Sequence, residues 1–485
     1  MQIKFIHITL AFTLSVFSTQ QLATDINQIE LPEMGDSSGT LISPAQEQEL
    51  GAAFFRSLHG RIKINQDAEI QQYIHSIGRQ LVENSDLPSY PFHFFVVLDN
   101  QINAFAGPGG YIGINSGLLI LTESESELAS VMAHEIAHVT QRHLYRAFEA
   151  ASKLSIPTAA ATLAAILIGT QSPALGQAAL IAIQAGSVQF QINFTRDNEK
   201  EADRVGMKTL SNSNFNPRSM PIFFERLQQS TRYFGRNIPE FLRTHPVSSA
   251  RISDTRGRSN KYPYKQYPDT QGYLLTRAKL RVITSSDKNI TLKYFKSREH
   301  QGTKDQRAIA RYGMGLIHID SQKFSKANKI FQQLAIAYPN QPQYAYAIAK
   351  TAVEAQQYKK ALSLFKKSSI RFPSNNAIKV EYISTLLKAG KPKKAKMILE
   401  TLNYPSRNQP FYFELLAQTY ADLDQAAESH RYLAEYYYLV GYTKIAILQI
   451  NLAKKAKGIN FYLQAILNER LNFFLAEEKE RNRNL

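Results

Sequence analysis

The residues best suited to chemistry are His134-Glu135-Ile136-Ala137-His138. At about 3.6 residues per turn, positions i and i+4 of a helix share a face, so both imidazoles can reach one metal ion while Glu135 projects beside it. The alternative is two incidental histidines on a helix surface. The apolar residues around the motif favour the metal, because they supply the buried helix that such a site requires.

Two imidazoles leave a tetrahedral zinc ion two ligands short. A catalytic site draws a third ligand from the protein and keeps the last position for water. Downstream, Glu199 and Asp203 stand at i and i+4 in Asn198-Glu199-Lys200-Glu201-Ala202-Asp203 and share a face, with Glu201 pointing away. Glu199 is read as the third ligand and Asp203 as the acceptor that fixes a ligating histidine in the right tautomer. The alternative is a solvated acidic helix face. With zinc acidifying a water and polarising a carbonyl, Glu135 takes the proton of the attacking water and returns it to the leaving amine. The chemistry expected is peptide-bond hydrolysis.

Around these residues, the pattern of the chain supplies elements to position them. Leu50, Phe54, Phe55 and Leu58, then Ile70, Ile74, Ile77 and Leu81, predict helices within 44–84, and Phe92–Leu98 reads as a strand. Asn103–Ala106 and Tyr111–Ile114 flank Gly107-Pro108-Gly109-Gly110, which predicts a hairpin. Thr122 with Glu125 predicts a capping box opening a helix that runs to about Phe148. Two alanine-rich apolar stretches, Ile156–Gly169 and Ala178–Ala185, are each too short to span a bilayer and are read as buried or interfacial helices. Residues 254–275 read as a linker.

From Tyr312 the chain repeats every 34 residues: Ala327, Ala361 and Ala395 keep that step, as do Phe331, Phe365 and Leu399, and Pro339 and Pro373 close two units. The period is that of tetratricopeptide repeats, in which small residues sit where paired helices cross. A degenerate fourth unit is expected near Phe411. The fold class expected is α+β, mainly helical, with a small β-sheet in the catalytic domain (24–253), a linker with first helices (254–305) and an all-α repeat solenoid (306–485).

The 485 residues suffice for two or three cores. Lys4 and the apolar run Ile8–Phe17, followed by small and polar residues, predict a secretory signal peptide ending at Ala23, with Ser18 as the alternative. The chain has no cysteine, which excludes disulfides, thiolate metal sites and a cysteine nucleophile. Its formal charge of +17 is concentrated in residues 290–485, which hold 31 Lys and Arg against 15 Asp and Glu. Such a surface could meet nucleic acid, anionic lipid headgroups or acidic protein partners, and charge alone does not choose among them; the alternative is a solvated helical surface. Nucleic acid is the least expected partner of a secreted chain, and no nucleic-acid role is assigned.

The extended string His134-Glu135-Ile136-Ala137-His138-Val139 with Arg142-His143, and Glu199 to Asp203 as Glu-x-x-x-Asp, resembles the gluzincin metallopeptidase family of the HtpX heat-shock proteases and the CAAX prenyl proteases. Signal peptide, peptidase and C-terminal repeats together resemble its periplasmic branch. The resemblance implies one zinc ion per subunit, a Gram-negative periplasmic location, and action on stalled or misassembled outer-membrane β-barrel proteins, both degrading them and assisting their assembly. It implies contact with the barrel-assembly machinery through the repeats. Peripheral membrane contact is a further expectation, and a latent repeat scaffold or a membrane-associated protease are the alternatives. It also implies that the strand Asn103-Ala104-Phe105-Ala106 pairs with an extended substrate, that Arg251 belongs to the substrate site, and that His245, in Thr244-His245-Pro246, takes the fourth zinc position and holds the enzyme latent. His245 as an oxyanion stabiliser or a packed turn residue stays open, as does an ordinary internal hairpin at 103–106. His143, at i+9 from His134, is read as structural.

Overall fold

The computed structural model describes residues 43–148, 159–160, 163–164, 196–234, 239–402 and 409–483. The expected signal peptide and nearly all of the two alanine-rich stretches lie outside these residues. Of the first stretch, Ala159, Ala160, Leu163 and Ala164 are helical and buried against Phe54, Phe95, Phe105 and Tyr145.

Two helices open the described chain. In α1 (Pro44–His59), the Ser43 hydroxyl accepts from the Gln46 amide while the Gln46 side chain accepts from the Ser43 amide, which satisfies two of the free donors at the helix start. In α2 (Ala68–Val82), Asp67 caps the Glu69 and Ile70 amides, and Ile70, Tyr73, Ile74, Ile77 and Leu81 form one buried stripe.

That stripe covers one face of a three-stranded sheet ordered β1-β3-β2: β1 (His93–Val97) runs parallel to β3 (Tyr111–Asn115), and β2 (Ala104–Ala106) antiparallel to it. Successive strand residues point to opposite faces, so Phe94 and Val96 join the α2 core while Phe95 and Val97 join the core under α1. The expected hairpin is present, its reversal made by Gly109 (φ 65°) and Gly110 (φ 74°) in the left-handed region. Its second strand gains a parallel partner, β1, which local pattern does not specify.

After the short α3 (Ser116–Leu121), the motif-bearing helix α4 (Glu125–Thr140) is capped by Ser124, whose side chain accepts from the Glu127 amide. This corrects the expected cap: the Thr122 hydroxyl donates to the Leu119 carbonyl and the Thr122 carbonyl accepts from the Tyr273 hydroxyl. Every residue of α4 from Glu125 to Val139 is buried. The helix also stops short of Phe148. Arg142 adopts φ 55°, breaking the path before α5 (His143–Phe148). Then come α6 (Arg196–Asn212), α7 (Ser219–Phe234), α8 (Glu240–Thr244) and α9 (Ser249–Ser259).

Much of the expected linker at 254–275 is helical, because α9 runs to Ser259 and α10 (Gln271–Ile283) begins at Gln271. Tyr273 and Leu280 of α10 pack into the N-terminal core, whereas Leu275, Ala278 and Val282 pack into the first repeat core. One helix therefore has an apolar face for each domain.

Helices α11 (Lys288–Arg298), α12 (Lys304–Asp320), α13 (Phe324–Ala337), α14 (Pro342–Glu354), α15 (Tyr358–Arg371), α16 (Asn376–Lys388), α17 (Pro392–Leu399), α18 (Pro410–Ala421), α19 (Ala426–Leu439), α20 (Thr443–Lys455) and α21 (Phe461–Arg483) follow. The predicted repeat positions Ala327, Ala361, Ala395, Phe331, Phe365 and Leu399 are all fully buried. Among the contacts of the array with the N-terminal domain, the Ala377 amide donates to Gln72 of α2, and Arg56 of α1 pairs with Glu477 at 2.9 Å and covers the Tyr438 ring. Among the described residues no helix is long and apolar enough to cross a membrane.

Candidate metal centre

Helix α6 lies along α4 with Glu199, Asp203 and Gly206 facing it, the i, i+4, i+7 set of one helix face. A β carbon on Gly206 would stand 3.0 Å from the Ala133 carbonyl oxygen and 3.1 Å from the His134 α carbon. A side chain here would be tighter than ordinary contacts, so glycine favours this close approach, which brings the carboxylates of α6 onto the imidazoles of α4.

His134 and His138 present Nε2 atoms 3.0 Å apart. The Glu199 carboxylate spans them, Oε2 lying 3.5 Å from His134 Nε2 and Oε1 3.4 Å from His138 Nε2. His245, just past α8, brings Nδ1 to 2.9 Å from Glu199 Oε1. These four residues are buried, and each offers a ligand atom within 4.8 Å of the others. His134 Nδ1 approaches Asp203 Oδ1 at 3.0 Å, so Asp203 stands behind the ring as the sequence predicts.

The donor set fits a metal ion. Two neutral imidazole nitrogens facing each other at 3.0 Å repel unless a cation or proton lies between them, and a mixed histidine and carboxylate set is what zinc takes. Glu135 is fully buried, and its carboxylate is held only loosely, by the Ala106 backbone beside it and by His245 Nε2 at 3.5 Å. A buried carboxylate so loosely satisfied is costly to keep and marks a place where a ligand fits.

Burial raises the Glu135 pKa above its ordinary value, against the pull of His245 and His134. Burial acts in the same sense on Glu199, but the charge of His245 and hydrogen bonds from His134, His138 and His245 overcome it and hold that carboxyl well below the usual range. Asp203 is likewise lowered, with burial outweighed by His134 and Arg251. Burial depresses His138 strongly, whereas in His134 hydrogen bonds to Asp203 and Glu199 overcome burial and push the pKa up to about 10.

Several expectations change. Arg251, assigned to the substrate, is buried: its Nε and Nη2 each donate to Asp203 at 2.7 Å, and Nη1 lies 2.7 Å from Glu199. It positions the carboxylates. His143 does not face elsewhere: its Nδ1 lies 2.8 Å from Nδ1 of His138, and its Nε2 lies 3.1 Å from Glu201 Oε2. Glu201, read as pointing away, is thus part of the cluster. The left-handed Arg142 swings His143 back, and nothing in Gln141-Arg142 announces that turn.

The expected substrate strand is β2, which has β3 as its single strand neighbour among the described residues. Asn103, Ala104 and Phe105 are buried and Ala106 is partly exposed. The backbone of Ala106 is among the groups acting on the Glu135 carboxylate, and the Ile102 carbonyl accepts from the Phe241 amide of α8. The edge of the sheet, Glu135 and His245 therefore share one corner of the domain.

Residues 68–259 match the model of peptidase family M48, and residues 352–419 match a tetratricopeptide repeat. The beta-barrel assembly-enhancing protease of Escherichia coli (strain K12) is 38% identical over 314 residues, spanning 65% of this chain and 64% of that protein. The protein of the same name in Yersinia pestis is 37% identical over 309 residues, 64% of this chain and 63% of that one. The mitochondrial metalloendopeptidase OMA1 of Schizosaccharomyces pombe is 28% identical over 180 residues, covering 37% of this chain and 50% of that protein. The chain thus aligns with somewhat under two thirds of the length of its bacterial relatives. Through residues 68–259, ahead of its tetratricopeptide repeats, the chain belongs to peptidase family M48.

Proposed function

We propose that the chain is a zinc-dependent endopeptidase of the Gram-negative periplasm, exported by its signal peptide, that degrades stalled or misfolded outer-membrane β-barrel proteins and assists those still able to assemble. One observation carries the reading: ligand atoms of His134, His138, Glu199 and His245 converge within 4.8 Å beside the fully buried carboxylate of Glu135. The names of the bacterial relatives support the substrate class.

His134, His138 and Glu199 would hold the metal, with Asp203 and Arg251 fixing His134 and Glu199 in place. Bound zinc supplies Lewis acidity toward a peptide carbonyl and a nearby water. Glu135 is the base. Burial raises its pKa, which suits a group that takes a proton from the attacking water and hands it to the leaving amine. An extended substrate segment would add to the edge strand β2, where main-chain hydrogen bonds bind unfolded chain with little demand on sequence. The repeats would hold the barrel-assembly machinery or the substrate itself, and their exposed lysines allow peripheral contact with an anionic membrane surface.

A second reading, a chain proteolytically latent until triggered, is favoured by His245, which brings a ring nitrogen within 4.8 Å of the other three candidate ligand atoms, where an attacking water would otherwise bind. Incubating the mature chain with an unfolded outer-membrane β-barrel protein, with bound zinc quantified in the same sample, tests both. Zinc-dependent cleavage supports the peptidase; stoichiometric zinc without cleavage supports latency; a chain that binds no zinc sinks both.

A further inference from the structure

The two predicted zinc histidines are held from behind in different ways. Asp203 meets the far nitrogen of His134 directly. Behind His138 stands His143, and behind His143 stands Glu201. We propose that Glu201 and His143 form a relay that locks His138 into the tautomer able to bind zinc through Nε2, which makes both of them positioning residues. The proposal rests on the metal reading of the site.

The distances admit one assignment of protons compatible with ligation. If Nε2 of His138 binds metal, its proton is on Nδ1, which donates across 2.8 Å to Nδ1 of His143. His143 must then carry its own proton on Nε2, and Glu201 Oε2 accepts it across 3.1 Å. A proton on Nδ1 of His143 would force the His138 proton onto Nε2, where the metal belongs. By accepting from Nε2, the carboxylate of Glu201 holds the His143 proton on the far side and so selects the ligating form of His138.

The backbone supports the same inference. On an unbroken helix, position 143 would lie on a different face from His138. Arg142 at φ 55°, a region unfavourable to a non-glycine residue, turns the chain so that the fully buried His143 ring meets the ring of His138. Strain of this kind persists where surrounding structure fixes it, and here that structure is the ligand histidine on one side and α6 on the other.

The test compares His143→Asn, His143→Leu and Glu201→Met with the wild-type chain by chelator competition for zinc, by the absorption spectrum of the cobalt-loaded protein and by melting of the metal-free protein. His143→Asn retains an acceptor where Nδ1 stood, and His143→Leu retains bulk alone. Losing a group that orients a ligand typically costs about 10- to 100-fold in metal affinity, the fall expected for His143→Leu, with His143→Asn recovering most of it and Glu201→Met falling between. Glu201 is partly exposed, so its replacement keeps the test available if His143→Leu does not fold. Equal zinc affinity and an unchanged cobalt spectrum in His143→Leu and Glu201→Met would overturn the relay, and so would His143→Asn binding zinc as weakly as His143→Leu. If the wild-type chain itself binds no zinc, the metal reading fails and the relay falls with it; if the wild type binds and the variants match it, the relay alone fails.

Discussion

A β carbon placed on Gly206 would lie 3.1 Å from the α carbon of His134. The helix carrying the predicted carboxylate ligand touches the helix carrying the histidines at that point, so the spacing of the metal centre depends on a missing side chain. Gly206→Val must push α6 off α4 or strain both. Overpacking costs about 1–3 kcal/mol, and the variant should show that loss in chemical denaturation together with zinc binding weakened at least tenfold. Wild-type stability and zinc content in Gly206→Val would mean that the helices have room to spare.

His134 gives the centre a proton linkage. In the metal-free chain its pKa stands near 10, above the ordinary value of about 6.5, so the ring is charged at pH 7.5. The sign follows. The stabilisation from its pairing with Asp203 and Glu199 is complete below about pH 6.5 and disappears as pH rises through about 10. Zinc needs the neutral ring, so binding at pH 7.5 should release about one proton, seen in calorimetry as a heat that changes with the ionisation enthalpy of the buffer. A heat independent of buffer would contradict a charged His134.

Removing the fourth candidate ligand should free the position that latency occupies. His245→Ala is expected to keep zinc through the remaining three ligands and to cleave an unfolded β-barrel protein several times faster than wild type, measured as initial rate at equal zinc content. A rate at or below wild type would instead assign His245 to the reaction or to packing.

The site was legible where helical spacing alone decides the outcome. His134 with His138, and Glu199 with Asp203, are i, i+4 pairs, and the structure brings both pairs to one place. The 34-residue period likewise marks residues whose burial follows from helix crossing, such as Ala361 and Phe365. Legibility ended where the backbone departs from regular geometry or where contacts come from far along the chain. His143 depends on the left-handed Arg142, Glu201 on the angle at which α6 crosses, and the ties from Arg251 to Asp203 and Glu199 on a segment about fifty residues downstream. The β1–β3 pairing is parallel and non-local, so alternating hydrophobicity cannot specify it.

Much of the basic balance of the C-terminal half is exposed on second helices of the repeats. The first helix α16 meets the N-terminal domain at Gln72, whereas Lys359, Lys360, Lys366, Lys367, Lys393 and Lys394 on the second helices α15 and α17 are exposed. A partner held by these lysines should bind through screened charge, weakening several-fold as ionic strength rises from about 0.1 M, where the Debye length is about 10 Å, to about 1 M, where it is about 3 Å. Replacing Lys366, Lys367, Lys393 and Lys394 by glutamate should abolish most of that salt dependence. Binding of an acidic unfolded β-barrel protein that ignores both salt and charge reversal would rule this surface out.

The central claim is that Glu135 acts as the base beside a metal held by His134, His138 and Glu199. The most direct measurement is degradation of an unfolded outer-membrane β-barrel protein by the mature chain and by Glu135→Gln, each assayed for bound zinc. The account predicts equal zinc in both, cleavage by the wild type, and a rate lower by about 100-fold or more in the glutamine variant, the size of a lost general base. Cleavage by Glu135→Gln at the wild-type rate, with zinc in place, would contradict it.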